Sequence, residues 1–283
     1  MSRRSLLIGA LSIPAVAALL AACGTSESES PATEPGVDGA PAIVHPTGPD
    51  EVIVRIGFEG GFVTPGTDFA AVPSQLIAGN GQAYSPGVVT LEFPGALVAP
   101  IQVQSITETG IQKVLQLATA QGLLAPAPEY ERNDQIADAP DTVVVIAAGG
   151  QVYTHRAYAL GIGDETDPKR KALAEFVTKM SDLTAVAGAS EVGLAKVLEP
   201  VSYRIQARTL VEGELTGIDP APTIVEWPSS TGVDLATAGT CAKVTAEQAG
   251  TTFSDANSNT FFTQGDITYR VMVAASLPGD AAC

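Results

Sequence analysis

The chain has 283 residues, a formal net charge of −16 at pH 7, two histidines and three cysteines. Such an acidic surface repels phosphate groups, which excludes nucleic acid as a partner and electrostatic adsorption on anionic lipid. Two histidines far apart, without paired cysteines, leave no transition-metal spacing, so neither a metal nor a cofactor is predicted. Abundant glycine and proline with few aromatic residues favour strands and turns over a helical bundle.

The first 22 residues have the layout of an export signal. Arg3 and Arg4 provide a basic start, and an apolar run continues without a charge to Ala22. A membrane-spanning helix is the alternative, but a run of about 17 residues falls short of the roughly 20 that a span requires. The run is also interrupted by Gly9 and Pro14. The export signal is therefore the favoured interpretation.

The run ends in Leu20-Ala21-Ala22-Cys23, which resembles the lipobox of bacterial lipoproteins. The resemblance implies that the signal is cleaved before Cys23 and that the thiol of this cysteine carries a diacylglycerol. Two or more acyl chains are enough for stable attachment to a bilayer. The expected location is the extracytoplasmic face of the cell membrane. Loss of residues 1–22 removes two arginines and no acid, which takes the net charge from −16 to −18.

The basic start carries a second signal. Ser2-Arg3-Arg4 followed by Leu6-Leu7 is similar to the twin-arginine export motif, an address for proteins that fold before export. In this interpretation Arg3 and Arg4 are signal-recognition residues, as Leu20, Ala21 and Ala22 are in the lipobox. The general secretory route, for which any two basic residues suffice, stays open as the alternative.

Composition divides the mature chain into three parts. Residues 23–50 are mostly Ser, Glu, Pro, Gly, Thr and Ala, which predicts a disordered tether behind the lipidated cysteine. His45 falls in this tether, where no neighbour is expected to orient it. Residues 51–200 are predicted to form an α+β domain and residues 201–283 a β-rich C-terminal part. One sheet that continues past residue 200 is the alternative.

Strands dominate the start of the folded region. A strand is predicted at Val52–Ile56, and the Asn80-Gly81 dipeptide supplies the tight turn of a hairpin between residues 74–78 and 83–84. Two further strands are predicted at Val88–Phe93 and Ile101–Ser105 from their apolar and β-branched residues.

Helices and a second hairpin follow. Thr107 is the predicted cap of a helix from Glu108 to Gln121 with one apolar face. Gly149-Gly150 joins residues 142–146 and 151–158 into a hairpin. Asp167 then caps a second helix with Pro168 at its first position.

Beyond residue 200, strands are predicted at 203–210 and 224–227, a helix from Thr245 to Ala256, and a closing hairpin between 259 and 273. This order predicts an α+β fold: an antiparallel β-sheet with two to three packed helices and a β-rich C-terminal part. The helix from Glu108, the hairpin with its lead-in Asp138–Val143 and the ending Ser276–Cys283 resemble uncharacterised actinobacterial secreted lipoproteins. That resemblance implies a secreted α+β domain and no particular activity.

Two cysteines remain once Cys23 carries the lipid. Outside the cytoplasm, Cys241 and Cys283 are predicted to form a disulfide. The closed loop of about 40 residues contributes roughly 3–4 kcal/mol in the loop-entropy model. A nucleophilic thiol at Cys241 is the alternative, but only His45 and His155 are available as bases.

No catalytic residue is predicted. His155 lies in the middle of a predicted strand, where a histidine with satisfied hydrogen bonds or a surface histidine is favoured over a base. Trp227, the only tryptophan, is interpreted as a core residue in preference to a stacking platform on a loop. Two acidic loops lack the spacing of an EF-hand and are interpreted as solvated rather than calcium-binding. Their residues are Asn133, Asp134, Asp138 and Asp141 in the first, and Asp164, Glu165 and Asp167 in the second.

The leading functional hypothesis is a lipid-anchored, non-enzymatic binding or interaction module of the cell envelope. It contacts the membrane through the lipid on Cys23 and an unknown envelope partner or ligand through its folded part. One alternative is a hydrolase of envelope polymers, which requires two close acids, at least one with a raised pKa. A small-molecule carrier is the other alternative, and it requires an apolar cavity.

Overall fold

Two β-sheets and five helices build the fold in the computed structural model, which describes residues 41–283 except 65, 132–135 and 164–165. The described residues belong to one unit in which contacts are continuous. The α+β class with a β-rich C-terminal part is confirmed. The predicted signal residues Arg3, Arg4 and Leu20-Ala21-Ala22, and the predicted lipidation site Cys23, lie outside the described residues.

The first sheet has seven strands, and all its strand pairs are antiparallel. The Asn80-Gly81 and Gly149-Gly150 turns close the two predicted hairpins, β2–β3 and β5–β6, with Gly149 and Gly150 at positive φ. The spatial order is β6-β5-β1-β2-β3-β4-β7. The strands are β1 (Val52–Glu59), β2 (Gln75–Ala78), β3 (Gln82–Pro86), β4 (Ile101–Ser105), β5 (Asp141–Ala148), β6 (Gln151–Tyr158) and β7 (Lys196–Val197).

Three helices pack their apolar stripes with one face of this sheet in a single core. Helix α1 (Glu108–Ala120) begins at the predicted cap, where the Thr107 hydroxyl accepts a hydrogen bond from the Gly110 amide. Helix α2 (Pro168–Met180) begins at Asp167, whose carboxylate accepts from the Lys169 amide. Helix α3 (Leu183–Ala187) follows without having been predicted. The largest buried side chains of the helices are Leu115, Leu173, Phe176 and Met180.

The second sheet has five strands in the order β10-β8-β12-β11-β9. Its pairs are antiparallel except β9 with β11, which are parallel. Two helices of four residues each pack on it. The elements are β8 (Ser202–Thr209), β9 (Thr223–Glu226), β10 (Ala242–Thr245), α4 (Ala246–Ala249), α5 (Thr252–Asp255), β11 (Thr260–Gln264) and β12 (Ile267–Ala275).

The core of the second sheet is rich in aromatic residues. Trp227 is 4 % exposed, donates its indole N–H to the Val233 carbonyl at 3.0 Å, and packs edge-on against Phe262. Burial with a satisfied N–H is what a core tryptophan requires. The interpretation of Trp227 as a core residue is therefore confirmed.

The tail after β12 joins the two sheets. Leu277 packs with Leu76 and Ile101 on the face of the first sheet away from the helices. Asp280, largely buried, lies 3.2 Å from the guanidinium of Arg55 on β1 and 3.1 Å from Arg204 Nε on β8. The Arg204 contact is an ion pair outside hydrogen-bond geometry.

The predicted disulfide is present. Cys241 and Cys283 are bonded, with their Cα atoms 5.0 Å apart and 42 residues of separation. The bond attaches the C-terminus to the start of β10. The pairing is the one that the sequence predicted, and it accounts for both cysteines beyond Cys23.

Two predicted elements are wrong. Val88–Phe93 is not a strand, because β3 and β4 pair directly up to Pro86 and Ile101, and the chain between them leaves the sheet as a loop. The single helix from Thr245 to Ala256 is instead α4 and α5. Gly250, at φ 51° and ψ −126°, ends the first of them.

The predicted tether also ends earlier than expected. Residues 41–50 pack on the fold: Ile43 exchanges two hydrogen bonds with the Gln112 side chain of α1, and the Val44 carbonyl accepts from Gly149. The His45 side chain is only 6 % exposed, with Nε2 3.0 Å from a Glu108 oxygen, so the expectation that nothing orients it is wrong. Local composition missed these contacts because their partners are 63 to 105 residues away.

Candidate binding site

An apolar pocket of about 270 Å³ lies where the two sheets meet. Its walls are the second half of the β3–β4 loop, the connection from β7 to β8, helix α5 and the end of β12. None of the described residues that line it is charged. The walls include Val98, Pro100, Leu198, Tyr203, Phe253 and Ala275.

The β3–β4 loop is shaped by backbone contacts at its two ends. The Gly87 amide donates to the Pro100 carbonyl at 2.8 Å. Residues 88–99 therefore leave the first sheet and return to it at neighbouring positions. A Cβ on Gly87 would lie 2.9 Å from the Pro100 backbone, which only glycine avoids. Farther along, Ala96 forms a bridge with Asn257, and Val98 forms one with Val273 of β12. The loop is thus an Ω-type excursion whose second half is fixed to the second sheet.

Aromatic packing forms the opposite wall of the pocket. The Tyr203 and Phe253 rings meet edge to face with centroids 4.9 Å apart. Phe253 also stands beside Trp227, at 6.1 Å between centroids. Rings held on both sides lose little freedom when a ligand binds, so this wall is pre-formed.

Apolar side chains also project from two loops at one end of the first sheet. Strands β1 and β3 both run toward this end, and the loops that follow them carry Phe62, which is 90 % exposed, and Leu91, which is fully exposed. Val88 and Phe93 are exposed on the same loop that lines the pocket. Exposed apolar side chains in one region mark a binding surface more often than a scattered set does.

A second, polar groove of about 630 Å³ lies along the C-terminal tail. Asp50, Glu199, Arg204, Lys243 and Asp280 give it both signs of charge. Burial, and then the charge of Asp50, raise the pKa of the Tyr84 phenol at its edge. Because Arg55 and Arg204 hold the Asp280 carboxylate, this acid joins the two sheets.

His155 has satisfied hydrogen bonds, as one of the two predictions for it stated. Its Nε2 lies 2.9 Å from the Leu123 carbonyl, an acceptor, so Nε2 carries the proton and Nδ1 accepts from the Tyr130 hydroxyl at 2.7 Å. The imidazole is fully buried. Burial and then the charge of Asp167 raise the pKa of Tyr130 to about 12. The pair therefore forms a hydrogen-bonded link between the loop that carries Tyr130 and strand β6.

Among the carboxyl groups of the described residues, two have shifted pKa values, and both shifts are downward. Hydrogen bonds from the Arg208 guanidinium lower the pKa of Glu214 to about 2. Hydrogen bonds from Thr107 and Ser190 lower the pKa of Glu191. A hydrolase requires a shift in the opposite direction for its general acid.

The acidic loops are only partly within the described chain. Asn133, Asp134, Asp164 and Glu165 lie outside it. Of the rest, Asp141 is paired with Arg156 at 3.0 Å and Asp167 caps α2. Within residues 41–283, less the seven residues not described, no group of three or more His, Cys, Asp or Glu could hold a metal ion.

Comparison with protein-family models, with curated proteins and with solved structures found no match for this chain. Among the helices of the described chain, none has the length and apolar character needed to cross a bilayer. The apolar pocket and the loops beside it are the features that sequence reasoning missed. The exposed valines and leucine at 88–91 were visible in the sequence, but their pattern is equally that of a strand.

Proposed function

We propose that this chain is a lipid-anchored protein of the cell envelope, held on the extracytoplasmic face of the membrane through Cys23. Its folded part is a non-enzymatic binding module that takes an uncharged, apolar ligand group. The N-terminal resemblance to lipoproteins supports the anchor. The uncharged lining of the pocket between the sheets carries the assignment of the ligand class.

The contrast with the rest of the chain makes this lining informative. Charged residues are 16 % of the sequence, yet the pocket walls are aliphatic, proline and aromatic groups with the hydroxyls of Tyr203 and Ser254. Small-molecule sites commonly combine an apolar lining with a few polar atoms. Among the alternatives, this observation favours the carrier.

A neutral fluorescent dye tests the ligand class. Nile red should bind the purified chain, and Ala96→Trp should weaken binding about tenfold, because an indole at the pocket mouth replaces the apolar contacts of the dye. Ala120→Trp, on the exposed end of α1, is the matched control and should bind as the parent does. If both variants weaken Nile red binding equally, or if neither weakens it, the dye does not bind in this pocket and the assignment of the ligand class fails.

The anchor is tested separately by mass. The denatured protein extracted from its host should begin at Cys23 and carry the added mass of acyl chains, and Cys23→Ala should move the protein to the aqueous phase. Retention of the Cys23→Ala chain in the membrane would contradict the anchor and leave the pocket assignment untouched.

A further inference from the structure

Strand β9 is an open edge of the second sheet. It pairs with β11 on one side only and is the last strand in the sheet order. All four of its residues are exposed, including Ile224 at 52 %. Exposed edge strands offer unpaired backbone groups to another extended chain.

The register shows which backbone groups are open. The Thr223 amide donates to the Asn259 carbonyl at 3.1 Å, and the Trp227 amide donates to the Thr263 carbonyl at 2.7 Å. The odd-numbered residues of β9 therefore direct their N–H and C=O groups toward β11. Ile224 and Glu226 direct theirs away from it. No described residue bonds to the backbone of either.

Proline limits the outward N–H donors of this edge to two residues. Pro222 and Pro228 occupy the next even-numbered positions, before Ile224 and after Glu226. Since proline has no N–H, the outward donors are those of Ile224 and Glu226 alone. A strand added here can make two pairs of hydrogen bonds, with Ile224 and Glu226, and finds no further outward donor at either proline.

A pocket of about 250 Å³ lies beneath the same edge. Thr223 and Val225 face it from β9, Phe262 from β11, and Thr252 and Asp255 from α5. Asp255 is its one charged residue. The walls combine the apolar Val225, Pro228 and Phe262 with threonine and asparagine side chains around this single carboxylate. Such a lining suits a side chain that has an apolar stem and a cationic head.

We propose that the β9 edge binds an extended peptide segment of a partner protein, and that this pocket takes a Lys or Arg side chain of the segment. The main-chain bonds supply affinity and the pocket supplies specificity, as in other cases of strand addition. The site shares Ala256 with the apolar pocket on the other side of α5, but the peptide proposed here does not depend on the ligand proposed there.

The probe is a blocked heptapeptide of alternating threonine and valine with lysine at its centre. The control peptide has norleucine in place of lysine. Amide exchange is followed residue by residue by NMR. At a peptide concentration of about ten times the Kd, exchange of the Ile224 and Glu226 amides should slow about tenfold. The emission of Trp227 reports whether the fold is intact.

Three variants separate the parts of the site. Ile224→Pro removes one outward donor and no bond to β11, so it should abolish binding, whereas Ile224→Ala should retain it within about threefold. Asp255→Asn should weaken the lysine peptide about fivefold and leave the norleucine peptide unchanged.

Two results would overturn the proposal. One is the absence of added protection at Ile224 and Glu226 in the presence of the peptide. The other is equal binding by Ile224→Pro and Ile224→Ala. Equal affinity for the lysine and norleucine peptides would overturn the assignment of a cationic side chain.

Discussion

The two sheets are covered in different ways. Helices α1 and α2, of thirteen residues each, cover the first sheet, and its core is mainly aliphatic. The second sheet is covered by α4 and α5, of four residues each, and its core is built on Trp227 and other aromatic residues. A long helix buries a continuous face, whereas a single turn leaves its flanks open.

This difference explains where the candidate sites lie. The apolar pocket and the pocket beneath β9 both border α5, and Ala256 lines both. Large rings fill the second core with few residues, and short helices leave gaps beside them. Both pockets therefore lie beside the thinly covered second sheet, and the β3–β4 loop of the first sheet lines one of them.

The largest expected effect is on the aromatic core. Phe262→Ala should lower the free energy of unfolding by about 3–5 kcal/mol, because the ring is fully buried against Trp227. Phe62→Ala changes the same side chain at 90 % exposure and should stay within about 0.5 kcal/mol. Denaturant unfolding measures both. Similar losses for the two variants would mean that Phe262 does not hold the second core.

The disulfide should give the next effect. Replacing Cys241 and Cys283 together by serine should cost about 4 kcal/mol, from the entropy of a loop of 42 residues. Amide exchange should show the loss first in β10, beside Cys241, while β5 and β6 keep their protection. If β5 and β6 lose protection to the same extent as β10, the two sheets unfold as one unit and the comparison between them weakens.

A smaller loss of stability is expected at the Tyr130–His155 hydrogen bond beside the first sheet. Tyr130→Phe leaves His155 Nδ1 without its donor and should cost about 1–2 kcal/mol near neutral pH. The measurement is denaturant unfolding of the variant and the parent.

The same variant has a signature at high pH. The folded pKa of Tyr130, about 12, exceeds its ordinary value of 10.0. The unfolded chain therefore loses this proton first, and stability that is complete below pH 10 falls as the pH rises toward 12. Tyr130→Phe should make this fall less steep. An unchanged slope would show that the phenol titrates equally in both states.

Local signals were sufficient for most of the elements. The caps at Thr107 and Asp167, the turn at Gly149-Gly150 and the closing hairpin depend on neighbouring residues alone, and the structure confirms them. The disulfide followed from cysteine count and the expected compartment. The anchor at Cys23, the division near residue 200 and the binding function stay predictions.

The tertiary structure alone decided the sites. Whether Val88–Phe93 is a strand depends on β3 and β4 pairing directly, and the order of His45 depends on Glu108 in a distant helix. The pocket at the junction combines four segments from residues 96 to 275, and the open edge of β9 depends on its pairing with β11. Periodicity and turn chemistry act over a few residues, so the sequence determined the elements, whereas pockets and edges arise from packing between segments far apart in the chain.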